Sequence, residues 1–148
     1  MFYFDDGFAA AISQWNSAGI STIDNGSSTS SDIVCKGGTR SELLNNVDWL
    51  SYSDLDGRTG ITFWYDSFEV YLDYNSTQKY LYQLSSSYIF IVDQGSTVNQ
   101  QKNTFIHELG HALGWYGHSA LNSDIMYSQI TSITTLTNRD KNHLVQVY

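Results

Sequence analysis

The chain has 148 residues, 41% of them apolar and 15% aromatic, which excludes a disordered protein and suits one domain with a core that needs no disulfide staples. Only 15% are charged, and a formal net charge of −8 with a pI near 4.6 argues against nucleic acid or an anionic membrane as partner. No apolar run approaches the length of a transmembrane helix, and the single cysteine, Cys35, excludes an internal disulfide.

Taken in order, residues 2–4 read as the end of a strand. Asp5 or Asp6 is placed to cap a helix that carries Phe8, Ile12 and Trp15 at i, i+4 and i+7 and stops near Gly19. Residues 20–24 alternate apolar and polar as a strand does, and the Ser-rich run 25–31 reads as a surface loop. A second short strand is expected over 32–36, closed by Gly37 and Gly38. Cys35 lies within it and reads as a core thiol, with no histidine near it in sequence to make it a ligand or nucleophile. Between 39 and 59, Glu42, Leu43, Leu44, Val47 and Leu50 suit a short helix or a packed loop. Residues 61–65 and 68–72 predict two strands, with Asp66 and Ser67 as a hairpin turn, and 75–86 predicts an excursion. Residues 88–92 are continuously apolar, as a strand buried on both faces would be.

Next comes the stretch that carries the chemistry. Thr97 and Gln100 have the spacing of a capping box, and Phe105, Leu109 and Ala112, beside Ile106 and Leu113, form an apolar stripe of helical period. On that helix His107 and His111 are four apart and share a face, so both imidazoles can reach one metal ion. Glu108 lies one residue round, within reach of a water on that metal without ligating it, which is the H-E-x-x-H arrangement of zinc hydrolases. Gly114 falls where a left-handed residue ends a helix, and a reversal there brings His118 round as a third ligand. Three protein ligands leave a fourth position for water on a catalytic zinc. No glutamate follows Glu108, so a downstream glutamate ligand of the thermolysin kind is excluded; Asp124 and Asp140 remain as carboxylate alternatives to His118. Thr137 and Asp140 are spaced to cap a last helix carrying Leu144, Val145 and Tyr148. These elements predict an α/β fold, a twisted sheet with helices before, beneath and after it.

The run His107-Glu108-x-x-His111-x-x-Gly114, followed by His118 and Met126, resembles the metzincin metalloproteases, and His111 to Gly114 with His118-Ser119 is similar to their matrixin branch. The ending from Thr137 to Tyr148 resembles the closing helix of small bacterial matrixin-like proteins; clear similarity covers 88–148. One departure stands out: the family pattern puts the third histidine where this chain has Gly117, and His118 comes one residue later. The resemblance implies a metzincin-like α+β fold with a mixed, mostly parallel sheet of about five strands, an N-terminal helix, a zinc-binding active-site helix and a C-terminal helix. It implies an endopeptidase with one catalytic Zn²⁺ on His107, His111 and His118, and Glu108 as general base; the uncharged polar composition suggests a secreted or cell-surface protein, and a monomer is the default expectation. The resemblance also implies a Met-turn at 124–127 beneath the metal, with Met126 supporting and not ligating, Tyr127 packing, and residues 128–135 walling a specificity pocket. A protein or peptide substrate would lie along an edge strand.

The structural zinc of vertebrate matrixins is not expected, since only His143 lies outside the motif. Ca²⁺ is conceivable at Asp54-x-Asp56-Gly57 or Asp5-Asp6, although solvated loops and helix caps explain those residues as well. Asn25 and Asn75 begin glycosylation sequons. No signal peptide is apparent after Met1, so an exported protein would have lost it already. A zinc-containing peptide-binding module without turnover is the alternative function, disfavoured by the presence of Glu108.

Overall fold

A computed structural model gives the fold of residues 4–19, 23, 24, 26, 31–72 and 78–145, with side chains described outside 66–72 and 78–83. The elements in order are α1 (Phe4–Asn16), β1 (Ile33–Gly38), α2 (Arg40–Asn46), α3 (Tyr52–Leu55), β2 (Gly60–Leu72), β3 (Gln78–Val92), α4 (Val98–Ala112) and α5 (Asn138–Val145). The class is mixed α/β, as expected. Among the described residues the sheet has three strands in the order β1-β3-β2. β3 pairs parallel with β1, from Ile33 opposite Ser87 to Gly38 opposite Val92. It pairs antiparallel with β2, from Gly60 opposite Ile91 to Leu72 opposite Gln78.

β3 sits in the middle because its apolar run can be buried on both faces. Ile89 and Ile91 join a core with α1 and α4, whereas Phe90 and Val92 join a second core with Leu43, Val47, Leu50 and Leu55 of the α2–α3 region. Successive side chains of a strand point to opposite faces, so one continuous apolar stretch serves both layers. On β2 the same alternation directs Thr62 and Trp64 toward α4, and Phe63 toward the α2–α3 core. The ambiguous stretch 39–59 resolves into two short helices. Thr39 caps α2 in a box with Glu42, and Ser51 donates from its N–H and hydroxyl to Asp54 at the start of α3.

Several expectations need correction. There is no hairpin at Asp66 and Ser67: β2 runs straight through them, with a β-bulge between Tyr65 and Asp66. The extra residue is Ser85 of β3, passed over between Ser86, opposite Tyr65, and Leu84, opposite Asp66; such a bulge bends a ladder without reversing either strand. The excursion expected over 75–86 is β3 from Gln78 onward, while 75–77 fall outside the described residues. Phe4 opens α1 and does not end a strand, so Asp5 and Asp6 occupy the first turn, where they complement the helix dipole without being caps. Residues 2, 3 and 20–22 of the expected strands lie outside the described residues, as does Tyr148. Ile23 holds to the side-chain amide of Asn16 through its N–H and its carbonyl.

α1 packs on α4 through a narrower stripe than its sequence suggests. Its buried residues are Gly7, Ala11 and Trp15, with Phe8 and Ile12 only partly covered. Small side chains let the two helices approach, and the Trp15 indole N–H then reaches the carbonyl of Ile106 at 2.7 Å. No helix among the described residues is long and apolar enough to cross a membrane.

Gly7 is where this packing is tightest: a Cβ there would lie 2.4 Å from Cδ2 of Phe105, a ring fixed in the core. Gly to Ala normally stabilises a helix interior by about 1 kcal/mol. Here Gly7→Ala should instead destabilise the protein by about 1–3 kcal/mol in urea denaturation, because the ring has nowhere to go. A raised midpoint would show that α1 and α4 can separate freely.

Candidate metal centre

The helix that carries the motif is defined at both ends. Thr97 caps α4 in a reciprocal box with Gln100. At the other end Gly114 takes φ 98°, its N–H donates to the carbonyl of His111, and the Trp115 N–H donates to Gly110, which together form a Schellman stop. The chain therefore reverses two residues after the helix. His118 returns over the face that carries His107 and His111.

All three rings meet. The Nε2 atoms of His107 and His111 are 3.1 Å apart, the His118 ring stacks on His107 with centroids 5.2 Å apart, and it stands edge-on to His111 at 5.1 Å. One nitrogen from each ring lies within 4.8 Å of the others, a set that could hold a metal ion. The tautomers follow from the partners. Nδ1 of His107 is 2.9 Å from the carbonyl of Ile125 and Nδ1 of His111 is 2.8 Å from that of Trp115. A carbonyl only accepts, so each Nδ1 carries the proton and each Nε2 presents a lone pair. Two lone pairs facing each other across 3.1 Å repel unless a cation lies between them. Protonation is a poor remedy: burial, then the neighbouring histidines, holds His107 down to about 4, and burial lowers His111 as well. The donor set fits a metal ion of the kind that imidazole binds.

Glu108 lines the same cleft and is only 6% exposed. Burial pushes its carboxyl up to about 7, against the smaller lowering effects of the Thr62 hydroxyl and the Arg58 charge. A bound cation would bring it back down. The Thr62 hydroxyl lies 2.7 Å from Oε2 and 3.0 Å from the Glu108 carbonyl. Gly60 leaves the space beside the carboxylate, since a Cβ there would sit 2.7 Å from Cγ and 2.8 Å from Oε1. Four residues further along β2, Trp64 donates its indole N–H to the carbonyl of His111 at 2.7 Å. The cleft has a volume of about 640 Å³ and runs between β2 and the loop that follows Tyr127.

Two fully buried aspartates build the floor. Asp124 accepts from Ser119 at 2.6 Å, from the Arg139 Nε at 2.7 Å and from Nη2 at 3.0 Å, with the Thr137 hydroxyl 2.9 Å away. Asp140 accepts from the N–H groups of Thr137, Ile125 and Met126. Between them they hold a turn at 124–127, closed by the Tyr127 N–H on the Asp124 carbonyl, and so aim the Ile125 carbonyl at His107. Met126 is buried under the helix, its sulfur where a Cβ on Gly110 would be 2.6 Å away. On α4, Asn103 brackets the loop wall by bonding the Thr131 N–H and the Ile133 carbonyl.

The structure thus brings His107, His111, His118 and Glu108 to one cleft. Asp124 and Asp140, the carboxylate alternatives, are committed to the loop network and lie outside the histidine cluster. Cys35 is also outside it; burial, then the charge of Glu108, pushes its thiol up to about 12. Asp54 serves as a helix cap and Asp56 faces Arg40 at 3.8 Å. His143 packs its ring on Trp115 at 3.9 Å. Sequence reading missed Gly60, Thr62, Trp64 and Asn103. The alternation Thr62-x-Trp64 inside an apolar strand is the one visible signal that something polar lies on that face. Compared with models of known protein families the chain matches none, and no curated protein sequence matches it.

The Asp124 network has a definite acid signature. Hydrogen bonds from Arg139 lead the causes that hold its carboxyl down to about 2, below an ordinary 3.8. A depressed folded-state pKa favours folding fully above 3.8, and that contribution is lost as pH falls through about 2. Asp124→Asn should therefore melt below the wild type near neutrality, with the gap closing over that acid window. A gap that stays constant down to the lower limit would mean that the charge of Asp124 contributes nothing.

Proposed function

We propose that this chain is a single metzincin-like catalytic domain, a zinc-dependent endopeptidase acting on protein or peptide substrates. The observation that carries the reading is the shared cleft, lined by a three-imidazole cluster in which the Nε2 lone pairs of His107 and His111 converge, and by the buried carboxylate of Glu108. His107, His111 and His118 would hold the ion. A purely structural site needs four closed ligands and has no use for a buried acid beside them. The five-stranded, mostly parallel sheet of the resemblance and a secreted or cell-surface setting belong to this proposal; the low charged fraction and polar composition favour export.

Zinc held by three imidazoles supplies a Lewis acid for a carbonyl oxygen and lowers the pKa of water. The chain's own residues do the rest. Glu108 takes the proton of the attacking water and later delivers it to the leaving amine. Its Oε2 accepts from Thr62, so Oε1, beside Gly60, is the oxygen without a donor among the described residues and the one placed to receive that proton. Burial keeps the carboxyl basic enough for the transfer, and the hydroxyl of Thr62 fixes its orientation. The Nδ1 contacts hold two of the rings in the ligating tautomer throughout. Ser128 lines the cleft with the histidines, but the ring nitrogens of His107 and His111 bond Ile125, Trp115 and each other and no serine or cysteine among the described residues, so the proposed attack is by water with no covalent intermediate.

Casein cleavage by zinc-loaded protein, with Glu108→Gln alongside, tests the proposal. The variant should lose about 100-fold or more in turnover, the scale of general-base catalysis, while retaining one zinc per chain by metal analysis. Equal turnover in both proteins would remove Glu108 from the reaction. Zinc bound to both without turnover on any unfolded protein would replace the peptidase reading with that of a peptide-binding module.

A further inference from the structure

His107 and His111 are each anchored by a ring nitrogen on a backbone carbonyl, but His118 is not. Its ring makes no hydrogen bond among the described residues, it is exposed, and its ring contacts there are with the other two imidazoles. The segment leading to it is also loosely tied. Trp115 is fixed through its N–H on Gly110 and its carbonyl on His111, and Ser119 is fixed through its N–H on Met126 and its hydroxyl on Asp124. Between those anchors, residues 116–118 make no backbone–backbone hydrogen bond among the described residues. Gly117 adopts φ 78°, a conformation that glycine enters and leaves at little cost. A reversal built this way would leave the third imidazole free to swing.

One contact spans the gap. The ring of Tyr116 lies flat on Trp64, with centroids 5.1 Å apart and planes 12° apart, although Tyr116 remains 71% exposed. Trp64 is itself held, its indole N–H on the carbonyl of His111 and its ring edge-on to that imidazole at 6.2 Å. It stands two residues from Thr62, the partner of Glu108. We propose that the Tyr116–Trp64 stack is the device that positions His118, tying the otherwise unbonded reversal to the strand that also orients Glu108. Tyr116 is thus a positioning residue acting through His118. A stacked aromatic pair contributes about 0.5–1.5 kcal/mol beyond its area, enough to select one arrangement of a short loop.

The inference rests on the metal-centre reading, and the experiment separates the two. Zinc affinity is measured by chelator competition for the wild type, Tyr116→Ala, Tyr116→Phe, His118→Ala and the Tyr116→Ala/His118→Ala double variant. Cobalt spectra of the same set report coordination geometry. Tyr116→Ala should weaken zinc binding by about 10–100-fold, as loss of an outer support does, and should weaken the tetrahedral cobalt bands. Tyr116→Phe, which keeps the ring, should bind and absorb like the wild type. In the His118→Ala background, Tyr116→Ala should cost nothing further, because the ligand it positions is gone. With its side chain mostly in solvent, Tyr116→Ala should lower the melting temperature of the metal-free protein by only a few degrees, the scale of one stacked pair. Wild-type affinity in Tyr116→Ala, or the same loss with and without His118, overturns the inference and leaves the metal centre standing. A wild type that binds neither ion overturns both.

Discussion

Everything at the centre of this molecule depends on two imidazoles that share one helix face and have committed their protons elsewhere. The carbonyls of Ile125 and Trp115 take the Nδ1 hydrogens of His107 and His111, so two lone pairs converge 3.1 Å apart in a partly desolvated cleft. That arrangement is unfavourable on its own and becomes favourable around a cation. The cost of assembling it is carried by the surrounding structure, because neither carbonyl is where it is by accident. The Trp115 carbonyl is set by the stop at Gly114. The Ile125 carbonyl is set by a turn whose N–H groups are held by Asp140 and whose flanks are held by Asp124.

The aspartate pair explains why a long irregular stretch can hold a carbonyl to hydrogen-bond precision. Both carboxylates are completely buried, and each is satisfied several times over, Asp124 by a forked Arg139 as well as by hydroxyls. Buried charges with this many partners give a loop the rigidity that a regular element obtains from its ladder. The single exposed member, Arg139, closes the network from the solvent side.

Close approach is the other recurring device. Gly7 admits Phe105, Gly110 admits Met126 and Trp15, and Gly60 admits the side chain of Glu108. At each place a missing Cβ lets one element sit against α4 from a different direction: α1 behind, the 124–127 turn below, and β2 beside the carboxylate. The helix is thus clamped on three sides. The fourth side, where the imidazoles and Glu108 emerge, is left open to the cleft.

Much of this was legible in the residues themselves. The capping box of Thr97 and Gln100, the i, i+4 histidines, the terminating glycine and the cap of Thr137 by Asp140 all appear as read, because each is a local pattern set by helix geometry within a few residues. The two-faced burial of β3 was equally visible, since a continuous apolar run satisfies two cores at once. The hairpin at Asp66 was not, because two polar residues inside a strand read locally as a turn, and only the pairing with β3, which continues to Leu72 opposite Gln78, shows that the strand runs on. Asp124 and Asp140 could be read as ligands as easily as scaffold, since a carboxylate's role is decided by the donors around it, and those come from residues up to 15 positions away. Thr62, Trp64 and Gly60 lie more than 40 positions from the groups they serve. The sequence by itself determined which side chains could share a metal and a proton; tertiary structure alone decided which carbonyls, hydroxyls and missing Cβ atoms hold them there, because those contacts join segments with no local pattern in common.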